Sequence, residues 1–355
     1  MDPYAYRKQN YTLDEDQELV REAFASFFAK EVPTTRVRDA EPLGFDESLW
    51  GSVVELGLTS MAIPEVHGGD GAGLTDMALA MEEVGRSLAP VPIIEHVVAT
   101  RLLAAANDPV HAELLAAAVE GMEILGFSPR AFTGRQIVSH AAVTRTVVGF
   151  LDGRLVLLSE AESRAHVPNQ GSLPYAWVDP GASQVTHISA VDAPRLFELA
   201  GKEWRVLMAS ALTGLTEASL QIGVEFAKTR ETMGTFIGKL QGVQFPLVDV
   251  HMWVAGSRNL VRRAAWFMDQ EPEAEQALPY EAFAYAAEMA AKGTSIAAHV
   301  QGGLGFIGES DASLYFLRAK GWALGAGDPA ESLREAGRLV LEEHRQKRAA
   351  ASAAA

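Results

Sequence analysis

Residues 227–244 read Ala-Lys-Thr-Arg-Glu-Thr-Met-Gly-Thr-Phe-Ile-Gly-Lys-Leu-Gln-Gly-Val-Gln, and this stretch is the most informative one in the chain. It follows a segment in which apolar residues recur on one helical face. Those residues are Ala211, Leu215, Ala218, Ile222 and Phe226. Arg230 supplies a fixed cation just beyond this helical pattern, and its forked donors suit a phosphate. The stretch therefore predicts a long helix that carries a possible anion-binding group at its end.

A glycine-rich segment, His299-Val-Gln-Gly-Gly-Leu-Gly-Phe306, lies further along the chain. Its glycines let backbone amides approach an anion closely. An arginine together with such glycines suits a pyrophosphate. Two simpler explanations remain open, because paired glycines often mark only a tight turn. An arginine at a helix end can also merely complement the helix dipole.

Working outward, the N-terminal third is helical in pattern. Apolar spacing predicts a first amphipathic helix from about Asp14 to Lys30, with a capping box at Thr12-Leu-Asp-Glu15. Further helical stretches cover residues 49–58, 75–87 and 96–119. Residues 63–71 contain one proline and several glycines, which cannot continue a helix. We therefore predict an N-terminal helical domain over residues 1–120.

The pattern changes in the middle of the chain and changes back later. Short β-branched and alternating runs between residues 124 and 188 predict a small β domain, placed at 121–195. Helical periodicity returns from about Pro194, and a second long helix is predicted from about Tyr280 to Val300. A C-terminal helical domain is placed at 196–348. Residues 349–355 form an alanine-rich tail that is expected to fray. The predicted fold class is α+β, with a helical bundle on each side of the β domain.

Composition narrows the function classes. The chain has 355 residues, of which 48% are hydrophobic and 21% charged, as in ordinary globular proteins. Its net charge of −16 disfavours nucleic acid and anionic membranes as partners. It has no cysteine, and its histidines lack metal-ligand spacing, so no metal site is predicted. Met1 to Tyr11 resemble no signal peptide and no apolar run is long enough to cross a membrane, so a cytoplasmic location is expected.

Three stretches in this layout resemble the acyl-CoA dehydrogenase family over nearly the whole chain. Residues 62–71 and 81–86 resemble its Pro-Glu and Gly-Gly loop and its Glu-Glu-hydrophobic-Gly helix. Residues 227–244 are similar to its Arg-x-x-Phe-Gly helix end, the turn and the next helix. Residues 299–306 resemble its Gln-x-x-Gly-Gly-x-Gly segment. The resemblance implies the family's helical, β and helical domains and an FAD cofactor.

The resemblance also implies binding residues. In the family, residues at the second and third stretches reach across a subunit interface to the adenosine half of an FAD whose ring lies on the neighbour. By this resemblance the cofactor-binding residues are Arg230, Thr232, Met233, Gln241, His299, Gly302 and Gly303. Arg205 stands where family members can touch the CoA portion of the substrate, although a structural role remains equally open for it.

Two departures from the family pattern concern the flavin ring and the base. The family's Thr-Glu-Pro-x-x-Gly-Ser-Asp stretch, which contacts the ring, has no match in residues 126–135, so we expect no ring on this β domain. The chemistry requires a carboxylate to remove the α-proton of an acyl-CoA. Where the family has a Glu-Gly-Thr triplet, this chain has Ala326-Gly-Asp328. At the family's other glutamate position it has Trp204.

No catalytic base is therefore assigned, and only Glu203 and Asp328 remain as substitutes. The favoured hypothesis is that this chain is the degenerate subunit of a heterotetrameric acyl-CoA dehydrogenase that desaturates an acyl-CoA, by extrapolation a steroid side-chain thioester. A homologous subunit would supply the ring site and base, and electron-transfer flavoprotein would accept the electrons. The alternatives are a self-sufficient homotetramer with an unusual base and a non-enzymatic scaffold of the same fold.

Overall fold

The computed structural model describes residues 11–353. The helices are α1 Glu15–Glu31, α2 Thr34–Asp39, α3 Glu47–Glu55, α4 Leu74–Ser87, α5 Ile93–Ala106, α6 Ala112–Val119, α7 Ala193–Thr229, α8 Gln241–Gln270, α9 Leu278–Val300, α10 Asp311–Ala323 and α11 Pro329–Ala353. The strands are β1 Leu125–Phe127, β2 Gln136–Val138, β3 Thr146–Leu151, β4 Arg154–Ser159, β5 Ala176–Val178, β6 Gln184–Ile188, β7 Glu231–Thr232 and β8 Thr235–Phe236. The predicted α+β class, with helices before and after a small β region, is confirmed.

The first helix begins one residue later than expected and has a different cap. The side chain of Asp14 accepts a hydrogen bond from the backbone of Gln17, and the Gln17 side chain accepts one from the Asp14 backbone. The predicted box at Thr12 and Glu15 is therefore wrong in register. Both pairs have the same spacing, so the sequence alone does not choose between them.

Two small sheets form the middle of the molecule. One has the strand order β1-β3-β4-β6, in which β1 and β3 are parallel and the other pairs antiparallel. The other pairs β2 with β5, and Ile137 lies opposite Trp177. Four consecutive residues in each of β3 and β4 are buried, so both faces of this part of the sheet are covered, as their β-branched and leucine-rich sequences predict.

The directions of the long C-terminal helices α7, α8 and α9 determine which of their ends lie together. The rings of Trp204 on α7 and Phe283 on α9 lie 5.5 Å apart, and further along both helices Gly223 lies against Ala297. The contacts advance in the same direction, so α7 and α9 run parallel and their C-terminal ends lie on the same side. Helix α8 connects them and runs the opposite way, which brings its N-terminus to that side as well.

Close helix packing joins the N-terminal and C-terminal helices. A Cβ on Gly85 of α4 would lie 1.8 Å from the carbonyl oxygen of Ala211, and one on Gly214 of α7 would lie 1.8 Å from that of Glu82. Only glycine fits at such a crossing, because any side chain would collide with backbone. Helices α4 and α7 therefore hold the two helical parts against one core.

The C-terminal stretch is helical further than expected. Helix α11 continues to Ala353, so the alanine-rich segment predicted to fray is helical up to that residue, which suits the high helix propensity of alanine. Residues 354–355 lie outside the described range. Within residues 11–353 no helix is both long and apolar enough to cross a membrane.

Candidate functional site

The residues predicted to contact FAD lie at one end of the C-terminal helices. Arg230 follows the last turn of α7, Gln241 begins α8, and His299 is in the last turn of α9. Because the three helix ends meet on one side, the structure brings these residues to a common surface. We call it the distal surface and define it as residues 230–252 and 299–307.

Each predicted FAD-contacting side chain on the distal surface is exposed. Arg230, Thr232, Gln241 and His299 are all solvent-accessible. Met233 is fully exposed, at 100% of its possible area, and has a left-handed backbone with φ of 49°. It lies at the tip of the hairpin formed by β7 and β8. A large apolar side chain held outward in this way is available to another molecule.

The distal surface also offers donors suited to a pyrophosphate. Space is open around the α-carbons of Gly242, Gly302 and Gly303, where an added Cβ would meet nothing within 4 Å. The first amides of α8 have no partners within the helix, and the positive end of its dipole favours an anion. With the Arg230 guanidinium nearby in sequence and fold, this donor set fits the phosphates of a dinucleotide.

Apolar side chains surround these donors. The exposed large ones are Met233, Phe236, Leu240, Phe245, Val248, Met252, Leu304, Phe306 and Ile307. Phe245, Val248 and Met252 follow helical spacing along one face of α8. Exposed apolar side chains grouped in this way are typical of a protein interaction site or a ligand-binding groove.

Glu203, one of the two substitute bases, is committed to an ion pair. Its Oε2 accepts from Nε of Arg101 at 3.0 Å and its Oε1 from Nη2 at 2.9 Å. Arg101 also donates to the carbonyl of Ala62, and the Glu203 side chain is buried. The pKa of Arg101 is raised chiefly by the charge of Glu203. Both carboxylate oxygens accept from the Arg101 guanidinium, and this pairing favours the ionised carboxylate over its protonated form.

Asp328, the other substitute, has a capping role. It is exposed, and its Oδ1 accepts from the backbone of Ala330 at 2.9 Å at the start of α11. The neighbouring Ala326 is buried, and Gly327 has a φ of 96°. The segment therefore offers a helix cap and no buried carboxylate.

Trp204 lies fully buried at the second base position. A Cβ built on Gly325 would lie 2.9 Å from Cζ2 of its indole ring. The two positions that the family resemblance identifies for a base, Trp204 and Ala326, are thus neighbours in space. The indole ring of Trp204 fills the space beside the segment that contains Ala326.

The indole belongs to a buried polar chain. Nε1 of Trp204 donates to Oε1 of Glu95 at 3.2 Å, and Oε2 of Glu95 lies 2.9 Å from Nδ1 of His140. The hydroxyl of Ser139 lies 2.9 Å from the same nitrogen. Burial raises the pKa of Glu95, but the charge and hydrogen bond of His140 and the bond from Trp204 outweigh it and hold the pKa below its usual value.

A crevice of about 560 Å³ separates the β domain from α10. Its walls include Ser128, Gln136, Ile137, Lys320 and Gly325. Sequence reasoning missed it because its residues come from separate segments, and no short motif unites them. The polar part of its wall is organised, since Nε2 of Gln136 donates to the hydroxyl of Ser128 at 2.8 Å.

Arg205 packs away from these features. Its guanidinium lies 4.7 Å from the centre of the Tyr280 ring, and its Nε donates to the hydroxyl of Ser332 at 3.2 Å. It also donates to the carbonyl of Gly201. Burial lowers its pKa. These contacts of Arg205 connect α7 to α9 and α11.

Among residues 11–353 no cluster of histidine and carboxylate side chains could hold a metal ion.

Comparison with known protein families matches both helical parts. Residues 14–122 match the family described as Acyl-CoA dehydrogenase, N-terminal domain, and residues 202–337 match Acyl-CoA dehydrogenase, C-terminal domain. Acyl-CoA dehydrogenase IpdE2 of Mycobacterium tuberculosis is 30% identical over 330 residues, covering 91% of this chain and 96% of that protein. Acyl-CoA dehydrogenase FadE27 of the same organism is 29% identical, covering 84% and 89%.

Solved structures confirm the expected acyl-CoA dehydrogenase-like fold. The ChsE4-ChsE5 complex from Mycobacterium tuberculosis contains a chain with a TM-score of 0.84 and 23% identity, covering 94% of this chain and 99% of that one. A Tcur3481-Tcur3483 steroid ACAD variant has a TM-score of 0.82 and 21% identity, covering 94% and 100%. At these identities the likeness concerns the fold alone.

Proposed function

This chain belongs to the acyl-CoA dehydrogenase family of oxidoreductases, and from that premise we propose that it is the non-catalytic subunit of a heteromeric, FAD-dependent member. In this proposal its distal surface holds the adenosine half of an FAD whose ring and catalytic base belong to a homologous subunit. One observation carries the proposal: an indole fills the base site, while the phosphate-binding donors remain exposed on an apolar surface.

The distal surface supports the partner. An FAD bound there by Arg230, Gln241 and the glycines of residues 302–303 would lie among exposed apolar side chains. These side chains gain free energy by leaving water. A homologous subunit that covers them would at the same time enclose the cofactor. We therefore propose an α2β2 heterotetramer as the assembly.

The cofactor would accept a hydride from the β-carbon of an acyl-CoA when bound. The residues of this chain would bind and orient it. Arg230 would neutralise phosphate charge, and the N-terminus of α8 would donate backbone amides. His299 and Thr232 would line the edge of the FAD site. The partner would remove the α-proton, because neither Glu203 nor Asp328 is placed to do so.

The substrate and the electron acceptor are proposed on similarity. The heteromeric complexes among the structural neighbours include one described as a steroid ACAD, which favours a steroid side-chain CoA thioester. A further neighbour is described as an electron-transferring flavoprotein, a proposed acceptor. Arg205 remains a proposed CoA contact, and the cytoplasm the proposed location. The domain limits 1–120, 121–195 and 196–348 are likewise retained as proposals.

The crevice supports a second candidate, the self-sufficient dehydrogenase. A volume of about 560 Å³ falls within the range of small-molecule pockets, and Ser128 and Gln136 offer polar groups in a mostly apolar wall. If the crevice holds a flavin ring, the chain needs no partner for its cofactor. The first proposal expects flavin only in the complex with a homologous subunit, whereas this one expects flavin in the chain alone.

The test is to purify the chain alone and together with a homologous dehydrogenase subunit, and to record flavin absorbance per chain. We expect flavin in the complex at about one per pair of chains, and a colourless chain by itself. A fully occupied chain that an acyl-CoA reduces without a partner would establish the second candidate. A colourless protein in every combination would instead indicate a scaffold.

Substitution of Glu203 by glutamine tests its role directly. We expect urea unfolding to show a loss of about 1.5–3 kcal/mol, the typical value of a hydrogen bond to a charged group. Turnover of the complex should be unchanged. Asp328→Asn is the matched control, because asparagine also caps a helix, and it should alter neither quantity. A loss of turnover with stability retained in Glu203→Gln would make Glu203 the base.

A further inference from the structure

The inner wall of the crevice is unusually thin at one point. Gly325 lines the crevice on one side, and on the other the edge of the Trp204 ring lies against it. A Cβ at Gly325 would lie 2.9 Å from Cζ2 and 3.3 Å from Cη2 of that ring. The Gly325 backbone, and the indole behind it, therefore stand between the crevice and the buried Glu95 at this point.

The indole is held in place from the inner side. Its Nε1 donates to Oε1 of Glu95, whose other oxygen pairs with His140. Phe283 of α9 packs against the ring. Rotation of the indole would leave the buried Glu95 oxygen without its donor, which is costly in a site closed to water. The ring is therefore a fixed partition and not a mobile gate.

The interior behind it has no room for a chain of carbon atoms. The nearest cavity lined by Glu95 and His140 has a volume of about 30 Å³, enough for one or two water molecules. Val84, Met208 and Trp322 close its other sides. The charged Glu95 and its partner His140 would also be poor neighbours for an alkyl group.

We propose that Trp204 excludes acyl groups from this subunit, so that the crevice ends at Gly325 and the chain has no acyl pocket of its own. A planar or polar group can occupy the crevice, but an acyl chain cannot continue inward. The idea deepens the proposed function, on which it rests for the identity of the excluded substrate. It predicts that replacing the indole with a small side chain leaves only the Gly325 backbone between the crevice and the interior, and that an acyl chain can then pass this thin wall.

The test compares octanoyl-CoA with CoA by titration calorimetry on the purified full chain. We expect the wild type to bind octanoyl-CoA no more tightly than CoA. Trp204→Ala should bind octanoyl-CoA at least about tenfold more tightly than CoA, because each methylene removed from water adds to affinity. Crystals of this variant under xenon pressure should show xenon where the indole stood, and wild-type crystals should not.

Two further variants separate the effect of the cavity from lost stability. Trp50→Ala removes another buried tryptophan, at the start of the N-terminal core, and should gain no preference for octanoyl-CoA. Trp204→Leu takes the place of Trp204→Ala if that variant does not fold, with the same expected preference. A wild type that already prefers octanoyl-CoA overturns the proposal. A folded Trp204 variant that admits xenon, or gains a cavity, but binds octanoyl-CoA no more tightly than CoA also overturns the proposal.

These outcomes are independent of the flavin measurement. Flavin content per chain decides whether the subunit proposal holds, whereas the octanoyl-CoA comparison needs no flavin and no partner. A yellow, self-sufficient chain with no octanoyl-CoA preference would end the subunit proposal and leave the closed interior standing. A colourless chain that prefers octanoyl-CoA would leave the subunit proposal standing and contradict the closed interior.

Discussion

His140→Ala should lower the free energy of unfolding by about 3 kcal/mol, the upper end of the cost of leaving a buried group without its hydrogen-bond partner. Glu95 is 1% exposed and His140 6% exposed, so the lost contact lies in the protein interior. The variant leaves Oε2 of Glu95 without its partner at 2.9 Å. Urea-induced unfolding of the purified chain measures the loss.

Two controls identify the cause. His140 has a φ of 59°, a left-handed conformation that asparagine tolerates better than most residues. We therefore expect His140→Asn, which keeps a donor in reach of Glu95, to lose less stability than His140→Ala. In a Glu95→Gln background the same alanine substitution should cost much less. Equal losses in both backgrounds would contradict a role for the pair.

The same pair gives a pH dependence with a definite sign. The pKa of Glu95 is lower in the folded chain than in the unfolded one, because burial, which raises it, is outweighed by the charge and hydrogen bond of His140 together with the bond from Trp204. Its contribution to stability is therefore fully present above the ordinary glutamate pKa of about 4.3 and is lost as the pH falls through the lower, folded value. Wild type should lose more stability on acidification than Glu95→Gln. Identical acid profiles would contradict this assignment.

Arg230→Ala should weaken FAD binding to the complex by about 10- to 100-fold, as expected from a lost hydrogen bond to a charged group. Arg230 is exposed in this chain and follows the C-terminus of α7, where its forked donors would face phosphate oxygens. Flavin content after dialysis against decreasing FAD concentrations measures the change.

A neighbouring cation provides the matched control. Lys228 is on the same helix end, and its Nζ lies 2.7 Å from Oε1 of Glu225. Lys228→Ala removes the same charge without touching the proposed site, so flavin binding should not change. Arg230→Lys keeps the charge but not the fork and should fall between wild type and alanine. Equal effects of the two alanine variants would mean that Arg230 acts only through the general field of the protein.

The sequence predicted the fold through patterns that repeat within each element. The faces of α7 and α9 and the β-branched strands are local features, and their order predicts the α+β class. The motifs are similarly local, which is why the sequence predicts Arg230 and His299 as FAD contacts. The cap of α1 was missed by two residues because Thr12 and Asp14 offer the same capping chemistry.

The sequence patterns did not predict the long-range contacts. Trp204 and Glu95 are 109 positions apart, and no periodicity records that their side chains meet. The alignment with the family identified Trp204 only as a missing glutamate. Its role as a partition, and the pairing of Glu203 with Arg101, depend on how α5, α7 and the segment before α11 pack together.

From sequence alone, the order of helical, β and helical parts and the positions of several long helices could be predicted, because hydrophobic spacing acts over a few residues. The parallel course of α7 and α9, the exposure of the proposed phosphate donors beside apolar side chains on the distal surface, and the indole at the position of the family's glutamate are features of the tertiary structure. These features arise where distant segments exclude water together, and their free energy depends on the geometry of that packing.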